Sequence, residues 1–214
     1  LAEKSGADSV TIHLREDRRH INELDLIQIR KKLKIPLNLE MAPTNEMLKI
    51  SLKYKPKYVC IVPEKRSELT TEGGLNLRKN SKQIKKIIKK LKKKYIRISL
   101  FIEPSIRDIK IAKDIQADCI EIHTGKICNL YNQKKNINNE IKKITTAVNY
   151  ANHIGLEVHA GHGITFESAK ILSKIKGIKE FNIGHYLIGE SVFIGIGNSI
   201  KKFKNILKKW IYME

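Results

Sequence analysis

The 214 residues suffice for one domain with a buried core, but they fall short of the ~250 residues usual for an eight-stranded α/β barrel. The apolar fraction of 41% is typical of a globular protein, and no stretch reaches the ~18 apolar residues of a membrane span. The formal net charge of +20 suggests a polyanionic partner, but 34 of the 42 basic residues are lysines spread along the chain. That distribution favours solvated surfaces, so we expect neither a nucleic-acid nor a membrane partner.

Seven short apolar runs, rich in β-branched residues, are predicted to be strands. They cover 9–14, 36–41, 58–63, 96–102, 119–124, 156–161 and 180–185. Segments with helical periodicity are found near 22–33, 44–54, 80–94, 105–115, 136–154, 166–175 and 188–210. The strict alternation of the two kinds of segment, without hairpin turn signals, predicts an α/β fold whose parallel strands are joined by helical crossovers.

The first eight residues, LAEKSGAD, are typical of a helix end closed by Gly6. Such a helix should follow a strand of its own, so seven visible strands and one before Leu1 would make the eight of a barrel. We therefore predict one domain over residues 1–214, a parallel (β/α)8 TIM barrel that lacks its first strand. A doubly wound open sheet is the alternative, but the sequence lacks the glycine-rich loop usual after an early strand of that fold.

The densest basic run, residues 82–94, is interleaved with apolar residues at spacings of three and four. These are Ile84, Ile87, Ile88 and Leu91. This pattern predicts an amphipathic helix with an apolar stripe towards the core and lysines in water.

The three cysteines, Cys60, Cys119 and Cys128, are an odd set without the spacing of metal ligands. Reduced thiols in a cytoplasm are the simplest interpretation. The N-terminal residues also lack the charged and apolar regions of a signal peptide. We predict a cytoplasmic protein without a metal site.

Polar residues recur on one face of the predicted strands, although strands wrapped by helices should be apolar on both faces. Thr11, His13 and Arg15 share that face of the first strand. The same face of later strands carries Asn38, Glu40, Glu121, His123, Glu157, His159, Gly161, Asn182 and Gly184. Buried carboxylates and imidazoles are costly unless they are paired or used. Because these residues lie near the carboxyl ends of strands, the pattern predicts a catalytic site in the barrel lumen.

The loops that follow the strands fit an active site at this end. The loop at 63–74, PEKRSELTTEGG, is long, polar and ends in glycine, as expected of a mobile lid. The last two strands end in the glycine-containing segments 161–163 and 182–185. Glycine lets backbone N–H groups approach an anion, and this part of a barrel is a common phosphate site.

Seven short motifs carry a family resemblance. They are HLREDRRH at 13–20, NLEMA at 38–42, VPEKR at 62–66, TTEGG at 70–74, EIHTG at 121–125, AGHG at 160–163 and NIGH at 182–185. In this order and spacing they resemble the pyridoxine 5′-phosphate synthase family, the ring-closing enzymes of the deoxyxylulose-phosphate-dependent route to vitamin B6. The resemblance runs from the first residues to the last helix.

The resemblance implies condensation of 3-amino-2-oxopropyl phosphate with 1-deoxy-D-xylulose 5-phosphate to give pyridoxine 5′-phosphate, phosphate and water. It implies no metal or organic cofactor, and a homo-oligomer, namely an octamer. By motif position, His13 is expected to be a proton acceptor, Glu40 a second acid/base and His162 a proton donor. Glu121 matches the residue that stabilises the transition state.

Six further positions match substrate contacts of the family. The deoxyxylulose phosphate is expected to be held by Arg15, His20 and Thr70. The aminoketone phosphate is expected to be held by Gly163, Gly184 and His185. A guanidinium suits a phosphate dianion because it can donate two parallel hydrogen bonds.

The sequence departs from the family pattern in two places. His159 stands where family members carry Asn. The family's first strand, with an Asn-x-Asp-His segment that contacts both substrates, has no counterpart in the sequence. An inactive truncated barrel and another phosphosugar isomerase or epimerase barrel therefore remain alternative hypotheses.

Overall fold

The computed structural model describes residues 1–211, and within them seven strands form one sheet in chain order. Every neighbouring pair is parallel. The strands are β1 Val10–His13, β2 Leu37–Met41, β3 Tyr58–Ile61, β4 Arg97–Ile102, β5 Cys119–His123, β6 Glu157–Gly161 and β7 Ile178–Asn182. The predicted α/β fold with parallel strands is confirmed.

Helices follow the strands and cover the outside of the sheet. They are α1 Glu23–Lys32, α2 Asn45–Tyr54, α3 Leu77–Lys92, α4 Ile106–Asp114, α5 Gly125–Asn132, α6 Asn138–His153, α7 Phe166–Leu172, α8 His185–Ile194 and α9 Ile196–Ile211. Short 3-10 turns cover Glu3–Ser5 and Arg66–Glu68. No helix among residues 1–211 is long and apolar enough to cross a membrane.

Side-chain caps explain why several helices start where the sequence predicts. Asn22, Thr44, Ser105 and Thr165 each accept a backbone N–H from the first turn of the helix that follows. Each cap satisfies a donor that has no partner within the helix. Each cap therefore fixes the residue at which its helix begins.

The structure differs from the sequence prediction in three places. The last strand is Ile178–Asn182 rather than 180–185, because Gly184 already caps α8. The final helical segment is two helices, α8 and α9, which are separated at Gly195 with a φ of 78°. Helix α5, Gly125–Asn132, directly follows β5 and was not predicted.

The lysine-rich run forms the amphipathic helix that the sequence predicts. Ile84, Ile87, Ile88 and Leu91 of α3 are all buried against the sheet. Burial of each such side chain stabilises the fold by about 1.5–3 kcal/mol. The lysines of α3 are exposed or half-buried, so its basic face is solvated.

The sheet curls until its two edge strands come within reach of each other's side chains. The Thr11 hydroxyl of β1 donates to Asn182 Oδ1 of β7 at 3.0 Å and accepts from Asn38 Nδ2 at 3.2 Å. Among the described residues β1 and β7 share no backbone ladder. An eighth strand between them stays a prediction.

A polar cluster fills the lumen towards the amino-terminal end of β6. His159 is 5% exposed; its Nε2 lies 2.9 Å from Glu157 Oε1 and its Nδ1 3.5 Å from Glu180 Oε1. Arg97 of β4 pairs with Glu157 at 2.9 Å. The departure at His159 is therefore accommodated by its own hydrogen bonds, and it precedes the catalytic end of the strand.

We predict that the Arg97–Glu157 pair contributes to acid stability. The Arg97 guanidinium, and to a lesser extent His159, lower the pKa of Glu157 to about 2 against the opposing effect of burial. Because this pKa is lower in the folded state, the stabilisation is present above the ordinary carboxyl pKa of ~4.3. It is lost as pH falls towards 2.

The free energy of unfolding would be measured by urea titration at about pH 7 and about pH 3.5. Arg97→Gln should cost about 1 kcal/mol or less at neutral pH, since the pair is partly exposed, and should weaken the acid dependence. Lys170→Gln, which breaks the exposed pair with Glu167, is the control. Equal acid dependence in all three proteins would contradict the prediction.

Candidate active site

His13 of β1 and Glu40 of β2 are register partners near the carboxyl ends of two adjacent strands. His13 Nδ1 lies 3.7 Å from Glu40 Oε2. Burial raises the pKa of Glu40, and the neighbouring His13 partly offsets this effect. A carboxyl group whose pKa moves towards neutrality can both take and give a proton, so the pair suits general acid–base chemistry.

Glu64, which the sequence analysis did not single out, holds the other side of the His13 ring. Glu64 Oε1 lies 2.9 Å from His13 Nε2, and Glu64 Oε2 accepts the backbone N–H of Glu16 at 3.1 Å. Glu68 in turn accepts the backbone N–H of Glu64 at 2.9 Å. The loop after β3 is thus folded onto His13, and the PEKR motif was the only sequence signal for it.

Glu121 is the most deeply buried acid of the lumen, at 3% exposure. Asn182 Nδ2 donates to its Oε2 at 2.9 Å, and the Cys60 thiol lies 3.7 Å from the same oxygen. Burial, followed by the nearby Glu40 and Glu180, raises the pKa of Glu121 well above its usual range. The raised pKa favours the protonated form of Glu121, and a protonated carboxyl group can donate a hydrogen bond.

Gly161 at the end of β6 makes room for the Glu121 carboxyl group. A Cβ atom at position 161 would overlap Glu121 Oε1 and approach Cδ of the same residue to 2.8 Å. Glycine is therefore required by close packing here, a reason that the sequence alone did not reveal.

His162 sits on a tight turn after β6. Both His162 (φ 76°) and Gly163 (φ 77°) adopt left-handed backbone, which is uncommon for a residue with a side chain. The Thr124 hydroxyl lies 2.8 Å from the carbonyl oxygen of Gly161 and 2.7 Å from that of His162, so one hydrogen is shared between them. Strain held in this way is typical of functional positions.

Partial desolvation, with His123 and His185 nearby, lowers the pKa of His162, whereas Glu103 opposes the shift. An imidazole with a lowered pKa gives up its proton readily. Glu103, which follows β4, was missed because Phe101 interrupts the polar face that Glu103 shares with Arg97 and Ser99. It lies against His123, whose Nδ1 is 2.7 Å from Glu103 Oε1.

The residues expected to bind deoxyxylulose phosphate occupy the loops after β1 and β3. Arg15 Nε is buried and makes no hydrogen bond within residues 1–211, with Asp17 Oδ1 3.8 Å away. His20 is exposed and has a left-handed φ of 68°. Thr70 is half-buried and accepts the Gly73 N–H at 3.1 Å.

The residues expected to bind the second phosphate lie at two chain turns. Gly184 caps α8, and a Cβ atom there would meet open space. His185 is the first residue of that helix. The first turn of a ten-residue helix presents N–H groups and a positive dipole end, which suit an anion. Gly163 packs against Cys128 and Gly125.

The contacts join the predicted residues into three groups. Glu64, His13 and Glu40 form the first, and Cys60, Glu121 and Asn182 form the second. Glu103, His123 and His162 form the third. The side chains of Arg15 and His20, and the residues Gly163 and Gly184, form no hydrogen bond with these three groups within residues 1–211.

Comparison with known proteins identifies related sequences over nearly the whole chain. The family model described as "Pyridoxal phosphate biosynthesis protein PdxJ" matches residues 1–209. Pyridoxine 5′-phosphate synthase of Pelagibacter ubique is 55% identical over 206 residues, covering 96% of this chain and 86% of that protein. The enzyme of the same name from Ehrlichia chaffeensis is 47% identical over 207 residues, covering 97% and 84%.

Solved structures with little sequence similarity share the fold. The 3-hexulose-6-phosphate synthase of Salmonella typhimurium has a TM-score of 0.67 at 11% identity, covering 95% of this chain and 88% of that one. The phosphoribosyl anthranilate isomerase of Thermus thermophilus has a TM-score of 0.61 at 11% identity, covering 97% and 91%. Likeness at this level shows the α/β barrel architecture alone.

We predict that Gly161→Ala lowers turnover about 10²-fold, because the new methyl group must displace the Glu121 carboxyl group. Initial rates would be compared with those of Gly189→Ala, whose added methyl group meets no atom within 4 Å. Circular dichroism would confirm that both variants fold. Wild-type turnover in the Gly161 variant would show that the position of Glu121 is unimportant.

Proposed function

The chain belongs to the PdxJ family, and from that premise we infer that it condenses 3-amino-2-oxopropyl phosphate with 1-deoxy-D-xylulose 5-phosphate. The products are pyridoxine 5′-phosphate, inorganic phosphate and water. The observation that carries the inference is the gathering of His13, Glu40, Glu121 and His162 at the carboxyl ends of parallel strands. This edge is where barrel enzymes perform chemistry.

The chemistry needs several proton carriers rather than one strong nucleophile. An amine must add to a ketone, phosphate and water must leave, a carbon–carbon bond must close, and the ring must become aromatic. Each step moves a proton, and positioned acids and bases contribute about 10²- to 10⁴-fold each. Groups with differently shifted pKa values in one lumen suit such a sequence.

Each acid/base group has an environment that suits a distinct role. His13 is proposed to accept protons, with Glu64 on Nε2 fixing its orientation. Glu40, with a pKa raised by burial, is proposed to exchange protons with the substrate or with His13. His162, with a lowered pKa, is proposed to donate a proton. Glu121, with a pKa raised by burial, is proposed to stabilise charge that develops in the transition state.

Two phosphate sites are proposed at the rim. Arg15, His20 and Thr70 would hold the deoxyxylulose phosphate, and the absence of a hydrogen bond to Arg15 Nε within residues 1–211 supports this role. Gly163, Gly184 and His185 would hold the aminoketone phosphate, and the open first turn of α8 supports this role. The net charge of +20 would raise the local concentration of both anionic substrates.

Assembly and location are proposed from the family and from exposed groups. We propose a homo-oligomer, an octamer as the resemblance implies, because Ile188, Val192 and Phe193 of α8 present an exposed apolar surface. Light scattering of the purified protein would measure the mass.

We propose a cytoplasmic location, which the free cysteines Cys60, Cys119 and Cys128 support.

The competing phosphosugar isomerase hypothesis rests on fold alone, since the isomerase of this architecture is 11% identical. The inactive-barrel hypothesis depends on the open ladder between β1 and β7. We propose that a further strand can pair with both of these edges, and measured activity decides between the two hypotheses.

We predict that Glu40→Gln lowers turnover at least ~10²-fold, because the amide cannot exchange a proton. The amide keeps the shape of the side chain, so circular dichroism and the melting temperature should stay close to wild type. Formation of pyridoxine 5′-phosphate from the two substrates is the direct assay. A variant with near-wild-type rates would remove Glu40 from the mechanism.

We predict that Arg15→Lys raises KM for deoxyxylulose phosphate about tenfold and changes kcat little, because an ammonium group cannot form the two parallel bonds of a guanidinium. Arg19→Lys is the matched control, since Arg19 is exposed and paired with Asp17 at 2.7 Å. Equal KM values in the two variants would argue against a phosphate contact at Arg15.

A further inference from the structure

A buried carboxylate outside the proposed catalytic set lies where β4 ends. Glu103 is 6% exposed, and its Oε1 lies 2.7 Å from His123 Nδ1 and 2.9 Å from the backbone nitrogen of Gly74. One oxygen atom therefore contacts a histidine of β5 and the loop after β3. A buried carboxylate is costly to keep, so its two contacts call for an explanation.

The contact with Glu103 fixes the orientation of the His123 ring. A carboxylate oxygen only accepts, so Nδ1 of His123 carries a hydrogen directed at Glu103. The His123 ring lies 4.9 Å from the His162 ring and 5.1 Å from the Phe101 ring, measured between centroids. The His123 ring therefore packs beside the ring of His162, the proposed proton donor.

The backbone of two glycines lies close to the His123 ring. A Cβ atom on Gly73 would approach His123 Cε1 to 3.0 Å. A Cβ atom on Gly125 would approach His123 Nε2 to 2.6 Å and His162 Cδ2 to 3.0 Å. A side chain at either position would therefore crowd the His123 ring.

The second contact of Glu103 anchors the turn that carries Thr70. Gly74 lies so close to β4 that an added Cβ would be 2.6 Å from the backbone nitrogen of Glu103. The Thr70 N–H donates to the Gly74 carbonyl at 2.7 Å, and Thr70 Oγ1 accepts the Gly73 N–H at 3.1 Å. The position of Thr70 therefore depends on Gly74, and that of Gly74 on Glu103.

We propose that Glu103 and His123 are positioning residues that couple the Thr70 turn to His162, so that the proton donor is correctly placed only when the turn is seated. The proposal rests on the proposed function for the identity of the substrates. It deepens that function, because binding of deoxyxylulose phosphate at Thr70 would then also order the acid that acts on it.

The charges around His162 give the two positioning residues opposite electrostatic effects. The groups that face His162 are His123 from β5, His185 from α8 and Glu103 from the end of β4. His123 and His185 lower the pKa of His162, and Glu103 raises it. Removing the charge of Glu103 should therefore lower this pKa further, and removing the imidazole of His123 should raise it. Glu72 pairs with Lys143 at 3.2 Å and also forms a hydrogen bond with Glu103.

The test uses three variants of the full-length protein. Glu103→Gln removes the charge and keeps the shape. Glu103→Asp keeps the charge and shortens the reach to Gly74. His123→Asn keeps a donor for Glu103 and removes the ring. Glu167→Gln, at an exposed carboxylate of α7 paired with Lys170, is the control.

The readouts are the His162 pKa, from NMR of labelled histidine assigned with His162→Gln, and the pH dependence of kcat. A proton donor must be protonated, so a lower His162 pKa moves the alkaline limb to lower pH and a higher pKa moves it to higher pH. We expect the alkaline limb to move to lower pH in Glu103→Gln and to higher pH in His123→Asn. It should not move in Glu103→Asp or Glu167→Gln.

KM reports on the Thr70 turn, and kcat reports on the placement of His162. Glu103→Asp should raise KM for deoxyxylulose phosphate about five- to tenfold, through loss of one hydrogen bond to the turn. His123→Asn should lower kcat about 10- to 100-fold, through misplacement of His162. A His162 pKa unchanged in both Glu103→Gln and His123→Asn, or shifted in the same direction in both, would overturn the proposal.

The NMR titration needs no turnover, so it separates this proposal from the proposed reaction. Opposite His162 pKa shifts in the two variants, together with a wild-type protein that forms no pyridoxine 5′-phosphate, would keep the positioning pair and refute the function. If Glu103→Gln fails to fold, the pKa shift of His123→Asn and the KM effect of Glu103→Asp still decide, and absence of both would overturn the proposal.

Discussion

Burial of carboxyl groups at one edge of a parallel sheet is the constraint on which the site depends. Parallel pairing sends the carboxyl ends of all seven strands in one direction, and the outer face of the sheet is occupied by apolar packing against the helices. Acids at those ends must therefore share a narrow lumen. Each one survives there only with a hydrogen-bond partner or in the neutral form. Glu40, Glu64, Glu103 and Glu121 show these solutions.

The partners of the buried acids come from different parts of the chain. Glu64 is joined to His13 of β1, Glu121 to Asn182 of β7, and Glu103 to His123 of β5. These contacts span from 20 to 61 positions in sequence. The same interactions that relieve the cost of burial therefore tie these loops and strand ends to one another, and the pKa shifts of the site follow from the curvature of the sheet.

Glycine serves this arrangement by its lack of volume as well as by its backbone freedom. Gly161 leaves space for the Glu121 carboxyl group, and Gly74 lets the loop after β3 reach the backbone of β4. Gly163, by contrast, is needed for a left-handed turn. The polar lumen thus needs glycine at points where the backbone comes close to a buried side chain or to another strand.

The sequence by itself determined the strand and helix order, because periodicity and caps are local properties; even the lysine-rich face of α3 was predictable from spacing. Its motifs identified His13, Glu40, Glu121 and His162 as a candidate set. It misplaced β7 and missed α5, where glycine and short helical turns leave little periodicity. Glu64 and Glu103 were decided only by the tertiary structure, since their partners lie 51 and 20 residues away. No local pattern encodes which carboxylate a folded loop brings against which histidine, because that choice is made by the curvature of the sheet.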